Sequence, residues 1–219
     1  AAPSAGAVFC ALHSSLIMKP VFSRAITLLL MGLVGASAAW AQADEARAKK
    51  IVMGSCFICH GAEGESSSEI FPRLAGQHAE YIAKQLENFK SGKRKSTAMG
   101  DMVAKLSIDD MQALGRYFEK QQHAPVAPKD AELAAVGAYI YNHGNKFSGV
   151  PACASCHGSD AKGTVALPRL AGQFASYTET QLKQFSKRER TNDNAVMHAI
   201  VSKMTELEMV SVAEYLSGK

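Results

Sequence analysis

The hexapeptide CFICHG at residues 56–61 recurs as CASCHG at residues 153–158, and this pair decides how the rest of the sequence is interpreted. Two thiols one helical turn apart can each add to one vinyl group of the same porphyrin, and the adjacent imidazole then reaches the iron. The motifs therefore predict two covalent haem c attachment sites. The predicted thioether residues and the histidine ligands of the iron are Cys56, Cys59 and His60 in the first motif and Cys153, Cys156 and His157 in the second.

Three other interpretations of the cysteines are weaker. A zinc site would need both pairs to converge on one metal, and it leaves the histidine after each pair unexplained. A thioredoxin-like redox pair expects a βαβ setting, which the sequence does not show. Two structural disulfides would each close a loop of only two intervening residues, and a short loop stabilises less than a long one.

The motifs belong to a repeat that covers nearly all of each half, at a period of 96 to 98 residues. FPRLAGQ at residues 71–77 returns as LPRLAGQ at residues 167–173. Such self-similarity indicates a duplicated domain. Two prolines in residues 121–129 interrupt helical structure between the halves. We expect an N-terminal domain (42–122), a linker (123–129) that does not itself fix the interdomain angle, and a C-terminal domain (130–219).

The periodic segments of each half have helical spacing. Apolar residues recur every three or four positions in four segments, which are 44–55, 78–90, 130–142 and 174–187. The last helix of each half begins with a capping-box pattern, at Ser107 and at Thr205. No strand pair is found, and residues 61–77 lack periodicity. We therefore predict an all-α fold in which a large cofactor fills part of each core.

The second axial ligand of each iron is predicted to be methionine. Met99 and Met197 lie 39 and 40 residues after the motif histidines, at equivalent positions of the repeat. A thioether opposite an imidazole raises the reduction potential and closes the iron to small molecules.

Other side chains compete for this role. Met102 and Met204 have no methionine counterpart in the other half, and His198 would give a bis-histidine haem but corresponds to Gly100. Symmetry therefore favours Met99 and Met197. The remaining candidates are interpreted as core residues that lack an equivalent in the other half, namely Met53, Met111 and Met209.

A proline follows each motif histidine at a similar distance. Pro72 and Pro168 lie 12 and 11 residues beyond the histidines. A proline carbonyl that accepts a hydrogen bond from histidine Nδ1 would orient the ring and make it a stronger donor to the metal. An ordinary loop proline is the equally weighted alternative.

The first 41 residues differ from the rest of the chain. Residues 18–41 combine a basic start, a short apolar run and small residues, which is typical of a cleaved signal peptide, and residues 1–17, with Cys10, are interpreted as an extension before the true start. Without Lys19 and Arg24, the chain has 22 basic residues (24 minus 2) against 20 acidic ones. This small surplus gives no support to nucleic-acid binding.

The duplicated motifs, the PRLAGQ segments and the stretches KRKSTAMGDMVAKLS and RERTNDNAVMHAIVSKM make the sequence resemble the cytochrome c4 family of bacterial dihaem cytochromes. The resemblance implies two class I cytochrome c domains related by a pseudo-twofold axis, with haem propionate edges near the domain interface. It also implies Met99 and Met197 as iron ligands and Pro72 and Pro168 as supports of the histidines. The sequence departs from the family at Met204, where the first half has the more typical Leu106.

The resemblance further implies a periplasmic electron carrier without enzymatic activity. Its partners would be respiratory redox proteins, with a donor such as a quinol–cytochrome c reductase and an acceptor such as a terminal haem-copper oxidase. Peripheral association with the membrane is compatible with this role. Two alternatives are a dihaem subunit of a flavoprotein dehydrogenase, such as one that oxidises sulfide, and a dihaem peroxidase, which needs one open iron position.

Overall fold

The computed structural model describes residues 42–219, and the predicted extension, signal peptide and Cys10 lie outside this range. The helices of the first half are α1 (42–51), which continues through a π-helical turn (Val52–Cys56) into α2 (Phe57–His60), then α3 (Ala79–Lys90), α4 (Thr97–Val103) and α5 (Ile108–Glu119). The helices of the second half are α6 (Ala131–His143), α7 (Ala154–His157), α8 (Ala175–Ser186), α9 (Val196–Val201) and α10 (Glu206–Ser217).

The predicted all-α class is confirmed. Between residues 42 and 219 the only β contact is an isolated antiparallel bridge that pairs Asn145 with Val150. No helix in the same range is long and apolar enough to cross a membrane. Residues 121–130 contain no helix, as the prolines predict.

Each half has its own apolar core between its first and last long helices. In the first half, Val52 packs with Leu114 and Phe118 of α5. In the second half, Tyr141 of α6 packs with Val212 and Leu216 of α10. The amphipathic pattern of the sequence therefore determines which helix faces meet.

The capping boxes predicted at the last helices are present in both halves. Ser107 Oγ accepts from the Asp110 amide, and the Asp110 carboxylate accepts from the Ser107 amide. Thr205 and Glu208 make the same exchange at α10. These reciprocal bonds satisfy amides that the first helical turn leaves without partners.

Two pairs of hydrogen bonds join the halves around a pseudo-twofold relation. The Gln173 carboxamide accepts from the Arg73 amide and donates to the Arg73 carbonyl, both at 3.0 Å. The Gln77 carboxamide makes the same two bonds with Arg169, both at 2.9 Å. These four bonds connect the halves directly, in addition to the linker.

A second set of polar contacts lies beside this exchange. The Arg94 guanidinium donates to Tyr177 and Gln181 of the other half, and Arg190 donates to Tyr81 and Gln85. The interface is therefore polar and directional, as expected of contacts that must hold one arrangement.

Replacing Gly137 with alanine should destabilise the second half. An added Cβ would overlap the Ser211 carbonyl where α6 crosses α10, whereas Gly54 has no atom within 4 Å of such a Cβ. Overpacking of this kind costs about 1–3 kcal/mol. Guanidinium denaturation of the haem-loaded protein should show this loss for Gly137→Ala. The matched Gly54→Ala should be neutral or stabilising because alanine favours helix, and equal stability of the two variants would contradict the packing account.

Replacing Glu208 with glutamine should reduce stability at neutral pH but not at acid pH. Burial opposes ionisation of Glu208, yet hydrogen bonds from Asn145 and Thr205 outweigh it and lower the pKa of the carboxyl. Because the folded pKa is below the unfolded value of about 4.3, this stabilisation is complete above the unfolded pKa and is lost as pH falls through the folded pKa.

We expect Glu208→Gln to lose about 1–2 kcal/mol at pH 7 and to approach the parent in acid, measured as Tm against pH. Glu206→Gln is the control, because its side chain lies on the same helical turn but is 85% exposed and pairs only with Lys183. A constant difference at all pH values would show that ionisation of Glu208 plays no part.

Candidate functional site

Each Cys-x-x-Cys-His motif lies at the end of a helical segment whose last residue is the histidine. Cys56 closes the π-helical turn, and Cys59 and His60 lie in α2, where Gly61 ends the helix with φ of 76°. In the second half, α7 carries the motif and Gly158 ends it with φ of 79°. The two thiols of each motif are thus one helical turn apart, and the histidine is held at a helix end.

The motif histidines are buried and oriented by proline carbonyls. His60 Nδ1 donates to the Pro72 carbonyl at 2.9 Å, and His157 Nδ1 donates to the Pro168 carbonyl at 3.3 Å. Burial lowers the pKa of both imidazoles, and the carbonyl contacts oppose that effect only in part. A neutral ring with its proton on Nδ1 presents Nε2 as the free donor atom, which is the tautomer that a metal requires.

The segments between histidine and proline are fixed by side chains that the sequence analysis did not identify. Ser66 has a left-handed backbone, and its hydroxyl lies within 3.1 Å of the carbonyls of Cys59, Ser68 and Phe71. Tyrosine hydroxyls hold the start of each segment, from Tyr117 to the Ala62 carbonyl and from Tyr141 to the Gly158 carbonyl. Tyr117 has a counterpart in Tyr215, ten residues after the capping residue of the last helix in each half, whereas Ser66 and Tyr141 do not recur in the repeat.

Met99 lies in α4 and Met197 in α9, two short helices that the sequence analysis did not predict. Both side chains are partly buried. The Ser96 hydroxyl caps α4 by accepting from the Met99 amide. Helices of seven and six residues are too short to show a clear apolar period, which explains why they were missed.

The rival ligands occupy different environments. Met204 is only 8% exposed within the second core, and Leu106 packs at the corresponding place before α5, so Met204 fills the position of that leucine. Met102 is 52% exposed. His198 Nδ1 donates to the carbonyl of Phe185 on α8.

The interpretation of Met111 and Met209 as unrelated residues is wrong. Each lies four positions after a capping residue, Ser107 or Thr205, so the two are counterparts in the repeat. They are 3% and 4% exposed, which agrees with their interpretation as core residues. Equivalence in the repeat therefore does not by itself select Met99 and Met197, and the difference in burial is needed as well.

The donor set fits haem c better than zinc. Within residues 42–219 no group of three or more His, Cys, Asp or Glu side chains could hold a metal ion, so the two cysteine pairs do not converge. The four cysteines of this range form no disulfide. Burial raises the pKa of Cys153 to about 11 and that of Cys56 above its ordinary value. Two thiols one helical turn apart beside an oriented imidazole fit thioether attachment and iron ligation.

Comparison with known proteins agrees with this donor set. The cytochrome c family model matches residues 45–144 and 142–218. The cytochrome c4 of Thiocapsa roseopersicina is 39% identical over 181 residues, which cover 81% of this chain and 91% of the relative. A thiosulfate dehydrogenase electron acceptor of Thiomonas intermedia (strain K12) is 33% identical over 203 residues, which cover 90% of this chain and 91% of that protein.

The solved structures give the same result. The crystal structure of reduced recombinant cytochrome c4 from Pseudomonas stutzeri superposes with a TM-score of 0.74 at 32% identity, over 80% of this chain and 97% of that chain. The shared architecture is a tandem of two cytochrome c domains, each with covalently bound haem c. The chain therefore belongs to the cytochrome c4 family of dihaem electron-transfer cytochromes.

Proposed function

We propose that the protein is a periplasmic carrier of single electrons and that each half binds its haem through residues of one repeat. Thioethers form at Cys56 and Cys59 in the first half and at Cys153 and Cys156 in the second. The iron ligands are His60 with Met99 and His157 with Met197. The observation that carries this assignment is the buried histidine whose Nδ1 donates to a proline carbonyl, Pro72 or Pro168, in both halves.

Haem c, when bound, supplies an iron that accepts and releases one electron. The protein residues hold that centre in one geometry. The helix end and the proline carbonyl prevent rotation of the imidazole, and burial excludes water from it. An environment that does not rearrange when the charge changes is what rapid outer-sphere transfer needs, and the capped helices and fixed loops of each half supply it.

Methionine ligation on both irons favours a carrier over a peroxidase, because a peroxidase needs one open or releasable position. We expect no hydrogen peroxide turnover from the reduced protein. Encounters with partners would be brief, since interfaces of redox carriers are small and weak.

The acceptor of the electrons is proposed to be a terminal haem-copper oxidase. A second candidate role follows from the relative that is a thiosulfate dehydrogenase electron acceptor. In that role the chain would receive electrons from a thiosulfate dehydrogenase. This is close to the alternative in which the chain is a subunit of a flavoprotein dehydrogenase, but the enzyme is of a different kind.

Export to the periplasm rests on the signal-like segment at residues 18–41. N-terminal sequencing of the protein recovered from the periplasm tests it. Cleavage after Ala41 or Ala43 would support the proposal, and an intact apolar segment would contradict it.

Replacing Met99 or Met197 with alanine should remove the sulfur ligand of one haem only. We expect each variant to keep two haems per chain by pyridine haemochrome analysis and to lose half of the near-infrared band of methionine-ligated ferric haem. The potential of the affected haem should fall by about 0.1 V or more.

The matched controls are Met111→Leu and Met209→Leu, which change the other methionine pair that the repeat duplicates. Both should keep the full band, and Met204→Leu should keep it as well. Loss of the band in Met204→Leu with retention in Met197→Ala would overturn the ligand assignment in the second half.

The two partner roles can be separated by stopped-flow kinetics. The reduced protein should be reoxidised rapidly by membranes that contain the haem-copper oxidase, and the rate should fall as salt increases if charged side chains guide the encounter. The oxidised protein mixed with thiosulfate dehydrogenase and thiosulfate tests the second role. Fast reduction there with no reaction at the oxidase would favour the dehydrogenase partner.

A further inference from the structure

The peptide group that follows each proline is hydrogen-bonded at both of its ends, through its carbonyl oxygen and through its amide. In the first half the Pro72 carbonyl accepts from His60 Nδ1 at 2.9 Å, and the amide of the same peptide group, that of Arg73, donates to Gln173 Oε1 at 3.0 Å. Gln173 belongs to the second half. One planar peptide group therefore connects the motif histidine of one half to a side chain of the other.

The second half repeats this arrangement in the reverse direction. The Pro168 carbonyl accepts from His157 Nδ1 at 3.3 Å, and the Arg169 amide donates to Gln77 Oε1 at 2.9 Å. The chain thus contains two such connections, which we call relays. In each relay a glutamine of one half is linked through a single peptide group to the motif histidine of the other half.

The glutamines are held firmly enough to act in this way. Gln77 is 8% exposed. Each carboxamide oxygen also accepts from the next backbone amide of its own chain segment, that of His78 or Phe174 at 3.1 Å. Each carboxamide nitrogen donates to the carbonyl of the arginine it contacts. Three bonds leave the side chain one orientation.

A peptide group transmits polarisation between its two ends. When the amide N–H donates, electron density moves to the carbonyl oxygen, which then becomes a stronger acceptor, and such cooperativity strengthens a bond by roughly 10–30%. A stronger bond to Nδ1–H makes the imidazole a better donor to a metal and favours the oxidised state.

We propose that Gln173 and Gln77 are positioning residues that tune the histidine ligand of the opposite half, so that each half sets part of the reduction potential of the other. The proposal rests on the assignment of His60 and His157 as iron ligands. Loss of Gln173 should weaken the bond at His60, raise the potential of the haem in the first half and leave the haem in the second half nearly unchanged. Loss of Gln77 should do the reverse.

The test compares Gln173→Met and Gln77→Met with Gln181→Met in the two-haem protein. Gln181 is the matched control because it accepts one interdomain hydrogen bond, from Arg94, and one from Arg190 of its own half, but bonds neither proline peptide. The first readout is the Nδ1–H proton resonance of each motif histidine in the reduced, diamagnetic protein. The second is a spectroelectrochemical titration that assigns a potential to each haem.

Gln173→Met should move the His60 resonance upfield and leave that of His157 unchanged. Gln77→Met should move the His157 resonance upfield and leave that of His60 unchanged. The equilibrium distribution of one electron between the haems should shift about twofold, in opposite directions for the two variants. Gln181→Met should move neither histidine resonance.

Other outcomes would overturn the proposal. Equal movement of both histidine resonances in all three variants would show that the substitutions loosen the whole interface. No movement in Gln173→Met or Gln77→Met would show that the peptide group does not transmit polarisation to the histidine. If a methionine variant does not fold, Gln173→Glu and Gln77→Glu keep the acceptor and should move the same histidine resonance downfield. A preparation with no bound haem would refute the proposed function instead, so the two failures are distinguishable.

Discussion

The hydrogen bond between each motif histidine and a proline carbonyl is the contact on which the rest of the structure depends. His60 is the last residue of the helical segment that begins with α1, where its ring could rotate, and the Pro72 carbonyl holds it. The carbonyl lies twelve residues away, so the whole intervening segment must be fixed for the bond to persist. Ser66 and Tyr117 hold that segment, and the Gly76 amide joins its end to the Phe118 carbonyl of α5. Core packing, loop and histidine orientation therefore form one connected unit.

The two halves reach this geometry by different routes. In the first half, α1 runs into the motif through a π-helical turn, whereas in the second half α6 ends at His143 and a separate loop leads to α7. The tyrosine that holds the segment after the motif comes from the last helix in the first half and from the first helix in the second. The two tyrosines bond neighbouring but not equivalent carbonyls, those of Ala62 and Gly158, whereas the bond from the histidine to the proline carbonyl is the same in both halves.

Much of this could be predicted from the sequence because the signals were local or repeated. The motifs, the long amphipathic helices and both capping boxes depend on residues within a few positions of each other. Contacts between the halves could not be predicted, because they join residues that are far apart in the sequence. Gln77 and Gln173 are repeated, so their importance could be seen, but their partners lie 92 to 100 residues away. Met111 and Met209 become counterparts only when the two halves are aligned on the capping residues Ser107 and Thr205, whose spacing of 98 residues is one longer than that of the Cys-x-x-Cys-His motifs.

Membership of this family indicates the cofactor and the fold of each half, but it does not identify the donor and the acceptor of the electrons. The motif histidines and Gln77 are buried, so a change at these positions disturbs internal contacts. Partner choice depends on exposed side chains that can vary without touching those contacts. Related chains named as cytochrome c4 and as a thiosulfate dehydrogenase electron acceptor are similar to this one over most of their length. The same internal framework can therefore serve different donors and acceptors, and surface residues, not the haem sites, must decide between them.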